Sequence, residues 1–423
     1  MLGTERAAGR ERAVLAGLNC READITSNDS TMDELEALLE TANGDAAARV
    51  IQNRPVPDAR TFIGEGKAEE IKNLCEANGV DLVVFDNELS PGQTRCLEKD
   101  LGVRVIDRSL LILDIFAGRA VTREGRVQVE MAQLKYIMPR LSGLGLSLSR
   151  QGGGIGTRRG PGETKLETDR RHIRRRIDKL SDELSDIRRA RALIRDRREK
   201  NEIPVVSLIG YTNAGKSTLF NALTAAGIPA RNRLFDTLDT TARNFSADDA
   251  TEVLLTDTVG FIRKLPHHLI EAFRATLEEL KYADLLLHVI DASNPEWEEQ
   301  AEVVDMITAQ LGAEELPCLR VFNKADIPGA FVPSDTREPF AAVSALTGFG
   351  IDGLKLKIAE IAGAGNRRVS LLLPYGDAGA LDTLHREARV ESVDYREDGI
   401  AVRAVCDGRV YGRIKAYDTA AGS

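Results

Sequence analysis

Cysteine is scarce in this 423-residue chain, and its five copies, Cys20, Cys75, Cys96, Cys318 and Cys406, form no C-x-x-C pair. That spacing argues against a disulfide framework or structural zinc and for a reducing compartment. No apolar run approaches the roughly 20 residues needed to cross a bilayer. The opening MLGTERAAGRER is charged and lacks an apolar core, so no signal peptide is visible and a cytoplasmic protein without a membrane span is expected. Aromatics are few, at 5%. The formal net charge of −9 argues against a uniformly basic nucleic-acid binder, although the charge is unevenly spread. What is present is ordinary for a soluble protein: 43% apolar and 29% charged residues, in a chain long enough for two to four domains.

Residues 1–122 alternate strand-like and helix-like patterns. RAVLAGL, ARVIQ, VDLVVFDN and RVIDR read as strands. STMDELEALLETANG reads as a helix with Ser and Thr cap candidates and a terminal Gly, and SPGQTRCLEKDLG as one that opens with Ser-Pro. The alternation predicts a small α/β unit with a largely parallel sheet. Residues 123–200 change character. Val127, Met131, Leu134, Met138 and Leu141 repeat at heptad spacing, as do Ile173, Ile177, Leu180, Leu184 and Ile187. Arg191 breaks the second register and Ile194 resumes it. Two long helices packed along a seam are expected, joined by a glycine-rich tip, with Pro139 kinking or ending the first. Residues 165–200 hold 14 Lys/Arg against 8 Asp/Glu. Residues 203–364 again alternate strand and helix, and 368–423 read as a small α+β unit. The expected fold class is therefore α/β and multidomain.

The chemistry lies in the third unit. GYTNAGKS, running through Gly210, Tyr211, Thr212, Asn213, Ala214, Gly215, Lys216 and Ser217, fits G-x-x-x-x-G-K-[ST] between a buried strand and a helical stretch. Its glycines let backbone N–H groups turn toward phosphate, at a helix N-terminus that adds positive potential. Lys216 would reach the β- and γ-phosphates, and the Ser217 hydroxyl would ligate Mg²⁺. Downstream, DTVG supplies Asp257, Thr258, Val259 and Gly260. Asp257 would hold the metal through water and the Gly260 N–H would contact the γ-phosphate. NKAD, from Asn323 and Lys324 to Ala325 and Asp326, selects the base, because a carboxylate there accepts both N–H donors of a guanine edge. Ser344, Ala345 and Leu346 follow where a backbone N–H could meet the base carbonyl. Between these motifs lies LFDTLDTTARNF, in which Thr237, Thr240 and Thr241 are candidates for a switch threonine that joins Mg²⁺ only when the γ-phosphate is present. The residue after the switch glycine, often a polar one that orients water, is Phe261.

The longer stretches FIGEGKAEEI, ELSPGQTRCLE, VIDRSLLILDIFAGRA, EGRVQVEMAQLKY, GTRRGPGETKLETDRR, DTVGFIRKLP and LIEAFRATLEE make most of residues 62–364 resemble the HflX-type GTPases of the translation-factor class. The resemblance implies an Mg²⁺-dependent GTPase, acting as a monomer, that binds the large ribosomal subunit through ribosomal RNA. It would dissociate or rescue stalled or stressed ribosomes according to its nucleotide, GTP or GDP. The family's F-x-T-L-D falls on Phe235, Asp236, Thr237, Leu238 and Asp239, which gives Thr237 the switch role. Thr240 and Thr241 remain alternatives, because DTT stands where some relatives have Asp-Pro-Thr. An apolar residue after the switch glycine is also a family trait. Hydrolysis is then expected to be slow alone and faster on the ribosome, with Lys216, Thr237, Gly260 and Asn213 as its catalytic set. For Asn213 two readings stand: a residue that helps hold K⁺ near the phosphates, or one that merely suits the turn. Arg150, Arg158 and Arg159 crowd the glycine-rich tip, where they read as RNA phosphate contacts or as a solvated surface. Two rivals remain: a switch that acts on proteins, and a non-enzymatic RNA-binding assembly factor that uses GTP only as a ligand.

Overall fold

The computed structural model describes residues 10–20, 28–141, 161–199, 203–224, 227, 234–238, 241–248, 251–265, 278–334, 339–362, 367–406 and 408–419. The first sheet is built from β1 (Glu11–Asn19), β2 (Gly44–Asn53), β3 (Leu82–Phe85) and β4 (Arg104–Asp107), in the order β2-β1-β3-β4 with every pair parallel. All four β3 residues are buried, as a strand covered on both faces requires. Helices α1 (Asp29–Thr41), α2 (Glu65–Asn78) and α3 (Pro91–Leu101) connect the strands, and α4 (Arg108–Arg119) follows β4 directly. The Ser-Pro start of α3 forms as expected. Ser90 and Gln93 make a reciprocal cap, Pro91 sits in the first turn, and Gly102 closes the helix at φ 73°. The ends of α1 differ from the sequence expectation. Asn28 caps the helix, exchanging hydrogen bonds with Thr31 at 2.9 and 3.0 Å. Asn43 takes the left-handed position at φ 68°, which an asparagine tolerates, and Gly44 begins β2 instead.

The two heptad stripes form the long helices α5 (Arg123–Arg140) and α6 (Pro161–Glu199). Val127, Met131 and Leu134 pack against Ile177, Leu180 and Leu184, while Met138 and Leu141 lie outside that seam. Pro139 sits in the last turn of α5, and the helix ends one residue later. The break at Arg191 has a cause, since its guanidinium pairs with the nearly buried Glu124 at 2.6 Å. The far end of α5 is fastened to the first sheet. Asp107 accepts from the Tyr136 hydroxyl at 2.8 Å and from Arg140 at 3.1 Å.

The second sheet runs β10-β9-β8-β5-β7-β6, from β5 (Val205–Gly210), β6 (Thr241–Ser246), β7 (Glu252–Asp257), β8 (Leu285–Asp291), β9 (Cys318–Asn323) and β10 (Phe340–Ala342). Only β6 is antiparallel to its neighbour. The sequence reading left β6 inside a switch loop, because Phe245 is its one buried residue. Helices α7 (Lys216–Thr224), α8 (Trp297–Gln310) and α9 (Ile351–Ala362) cover this sheet. The last unit is an antiparallel sheet β11-β13-β12, from β11 (Arg367–Leu373), β12 (Arg389–Arg396) and β13 (Gly399–Cys406). Leu384 of α10 (Ala378–Glu387) and Val410 and Ile414 of α11 (Gly408–Ile414) pack on it. No helix among the described residues is long and apolar enough to cross a membrane.

Candidate phosphate and metal site

The sheet brings the ends of β5, β7 and β9 together, and with them three of the motifs. The loop from Gly210 to Gly215 turns out of β5 into α7. Gly210 has φ 152°, and a Cβ there would lie 2.3 Å from the Val289 carbonyl oxygen, so no side chain fits. A Cβ on Gly215 would lie 2.2 Å from Nδ2 of Asn323. Asn213 sits at φ 62°, a region asparagine tolerates, and its side chain is exposed on the cleft. The cleft is also lined by Thr212, Lys216, Ser217, Asp236 and Gly260.

Lys216 is buried, and its ammonium donates to the carbonyls of Gly210 at 3.0 Å and Tyr211 at 2.7 Å. Burial pulls its pKa down to about 8, against the opposing charge of Asp257. Asp257 is fully buried, and burial raises its pKa, opposed by Lys216 and by hydrogen bonds from Ser217 and Thr237. Three oxygens converge here. Ser217 Oγ and Thr237 Oγ1 lie 2.8 Å apart and reach Asp257 Oδ2 at 2.9 and 3.0 Å. The second carboxylate oxygen, Oδ1, is buried and has no hydrogen-bond partner among the described residues. Two hydroxyls and an unsatisfied carboxylate oxygen are the donor set a hard divalent cation takes. Of the three candidate threonines, Thr237 lies in this cluster. Thr241 begins β6 opposite Asp257, while Asp239 and Thr240 fall outside the described residues.

After Asp257, the Thr258 hydroxyl donates to the Leu208 carbonyl at 2.6 Å, and Val259 is buried. Phe261 is 1% exposed and bridges back to the phosphate loop. The Thr212 N–H donates to its carbonyl at 2.7 Å, and its own N–H donates to the Gly210 carbonyl at 3.1 Å. Its ring belongs to an apolar cluster with Ile262, against which Leu265 packs. The segment from Asn323 to Asp326 is part buried and part exposed. Asp326 is exposed, and Lys324, at φ 63°, pairs with Asp291 at 2.6 Å. Asn323 is buried and braces loops, donating to the Ala214 carbonyl and accepting from the Ala345 N–H. Ser344 is buried and accepts from the Thr347 N–H, while Leu346 is 83% exposed. Arg150, Arg158 and Arg159 lie outside the described residues.

Sequence reasoning missed the residues that the N-terminal unit brings to this site. Phe116 and Arg119 of α4 touch Phe235 and Asp236, and Arg108 of α4 bonds to the Arg263 carbonyl. The available signal was an arginine opening the apolar helix RSLLILDIFAGR.

Residues 29–117 match a protein family described as "GTP-binding GTPase N-terminal", residues 119–198 one described as "GTP-binding GTPase Middle Region", and residues 205–324 one described as "50S ribosome-binding GTPase". A protein named GTPase HflX from Caldanaerobacter subterraneus is 46% identical over 413 residues, covering 98% of this chain and 95% of that one. The GTPase HflX of Escherichia coli is 44% identical over 373 residues, covering 87% of each chain. Among solved structures, a GTP-binding protein from Sulfolobus solfataricus in complex with GDP is 26% identical, with a TM-score of 0.43, over 84% of this chain and 99% of that one.

Proposed function

This chain belongs to the HflX family of GTPases, and from that premise we propose that it is an Mg²⁺-dependent enzyme that grips the large ribosomal subunit in its GTP state and dissociates or rescues stalled ribosomes. The observation that carries the reading is the convergence of Ser217, Thr237 and Asp257 beside the phosphate loop, in a chain whose residues 205–324 match the 50S ribosome-binding GTPase family. Such a cluster makes the position of the segment around Thr237 depend on what occupies the cleft.

In this mechanism, backbone N–H groups from Asn213 to Ser217 cradle the phosphates, and Lys216 moves its ammonium from loop carbonyls to the β- and γ-oxygens. Ser217, Thr237 and Asp257 are the residues that would hold Mg²⁺, which would supply positive charge to offset the negative charge developing on the phosphates. The Gly260 N–H meets the γ-phosphate, and Asp326 reads the guanine edge. Phe261 has no polar group, so backbone groups, K⁺ near Asn213, or the ribosome must orient the attacking water. Loss of the γ-phosphate frees Thr237 and Gly260 together. The basic tip, with Arg150, Arg158 and Arg159, supplies phosphate contacts to ribosomal RNA.

On this reading the chain is a cytoplasmic monomer of four units, at 1–122, 123–200, 203–364 and 368–423. Cosedimentation with purified ribosomal subunits tests it. Retention on the large subunit with a non-hydrolysable GTP analogue and release with GDP is the expected result. Equal retention with both nucleotides would sink the switch.

A further inference from the structure

Helix α4 contacts two segments beside the phosphate cleft: Arg263, three residues past the lining Gly260, and the lining pair Phe235 and Asp236. Its first residue, Arg108, is 2% exposed and donates to Asp86 at 2.9 Å, to the Arg263 carbonyl at 3.1 Å, and to Glu34. Burial alone would lower its pKa, but Glu34 and Asp86 more than offset that, so it stays charged. The Arg263 N–H donates to the Tyr211 hydroxyl at 2.8 Å, and that hydroxyl donates in turn to Glu34. Both backbone polar groups of Arg263, three residues past Gly260, are therefore held by side chains. One grip comes from the phosphate loop and the other from α4.

The opposite end of α4 meets the other switch. The Phe116 ring stands edge-on to Phe235, with centroids 4.7 Å apart at 87°, and Arg119 pairs with Asp236 at 3.5 Å. Phe235 is 2% exposed and sits at φ 54°, a backbone state that a bulky residue keeps only when its surroundings impose it. Two residues later comes Thr237, with its hydroxyl in the metal cluster.

We propose that α4 is a strut that sets both switches, with Phe116, Arg119 and Arg108 as positioning residues for GTP hydrolysis. This inference rests on the roles given to Thr237 and Gly260 above. Phe116 and Arg119 hold Thr237 facing the metal position, and Arg108 holds the segment that presents Gly260. Ordering a free loop would cost part of the binding energy of the γ-phosphate, and the strut lowers that cost while leaving the final closure to the γ-phosphate. Preference for GTP over GDP is therefore set partly by a helix of the N-terminal unit that touches no nucleotide.

The test uses the full chain with Phe116→Ala, Arg119→Ala, Arg108→Lys and Thr237→Ala. Affinities for a non-hydrolysable GTP analogue and for GDP are measured across an Mg²⁺ titration, and thermal melting monitors folding. Phe116→Ala should lower the analogue-over-GDP preference by about tenfold, within the usual range of coupling between sites, while GDP affinity holds. Its half-maximal Mg²⁺ concentration for hydrolysis should rise. Added to Thr237→Ala it should cause little further loss, because both act on one ligand. Arg119→Ala, at a partly exposed position, should shift the preference in the same direction and decides the matter if Phe116→Ala fails to fold. Arg108→Lys should lower kcat with KM little changed. If folded Phe116→Ala and Arg119→Ala proteins keep the wild-type preference while Thr237→Ala loses it, α4 is no strut. If Thr237→Ala itself keeps that preference, the switch assignment falls and the inference falls with it.

Discussion

The side-chain amide of Asn323 donates to the Ala214 carbonyl at 2.9 Å, and its oxygen accepts the Ala345 N–H at 3.0 Å. One buried side chain therefore ties the phosphate loop to the Ser344–Leu346 turn. Asn323→Ala would leave the buried Ala214 carbonyl unpaired, at a cost of about 1–3 kcal/mol, and would also free the part-buried Ala345 N–H. Because, on the proposed function, the brace serves phosphate and base sites alike, affinity for GTP and GDP should fall together, by about 10- to 100-fold. Paired isothermal titrations check this, and a loss confined to one nucleotide would refute it.

On the proposed function, Asp326 carries the choice of base. Asp326→Asn removes a charge-assisted pair with the guanine edge, so GTP binding should weaken by about 2–3 kcal/mol. Xanthosine triphosphate, altered at the same edge, should become the better ligand. Unchanged GTP affinity in this variant would mean that the base site has been misplaced.

Nucleotide affinity should depend on pH through Lys216, whose pKa in the free protein is lowered to about 8 by burial. The bound phosphates favour the charged form, so binding raises this pKa. The free protein binds fewer protons than the complex once pH passes about 8, and a proton must then be taken up on binding. Affinity should therefore be flat below that pH and fall by up to about tenfold per pH unit above it. Calorimetry at pH 8.5 in buffers of different ionisation heat should reveal the proton uptake, and Lys216→Met should abolish it.

Phe261 should act through packing. Phe261→Gln places an amide among apolar neighbours and should not yield a fast intrinsic GTPase, because the surrounding site is not arranged around one. Phe261→Ala should loosen the loop that presents Gly260, change the basal rate modestly and abolish most of the stimulation by ribosomes. Single-turnover hydrolysis with and without large subunits separates these effects. A Phe261→Gln protein that hydrolyses GTP quickly alone would contradict this account of the site.

The features legible in the sequence are those encoded locally. The strand alternation, the Ser90-Pro91 helix start, the heptad pattern and the phosphate loop each depend on neighbours within a few residues. Two kinds of feature escaped. β6 gains its pairing from β7 and buries only Phe245, so its own pattern is weak. The grip of Arg108 on Arg263 joins residues 155 apart in sequence, and no periodicity announces such a contact. Asn323 was legible by motif, but its bracing of the Ala214 and Ala345 backbone groups emerges only when three loops meet.

The most direct measurement of the central claim is the GTP hydrolysis rate of the full chain, alone and with purified large ribosomal subunits, alongside cosedimentation in the GTP-analogue and GDP states. The account predicts slow hydrolysis alone, a marked rise with large subunits, and retention on them only with the analogue. Thr237→Ala should lose both the stimulation and the analogue-dependent retention. A rate indifferent to the large subunit, with equal retention in both nucleotide states, would contradict it.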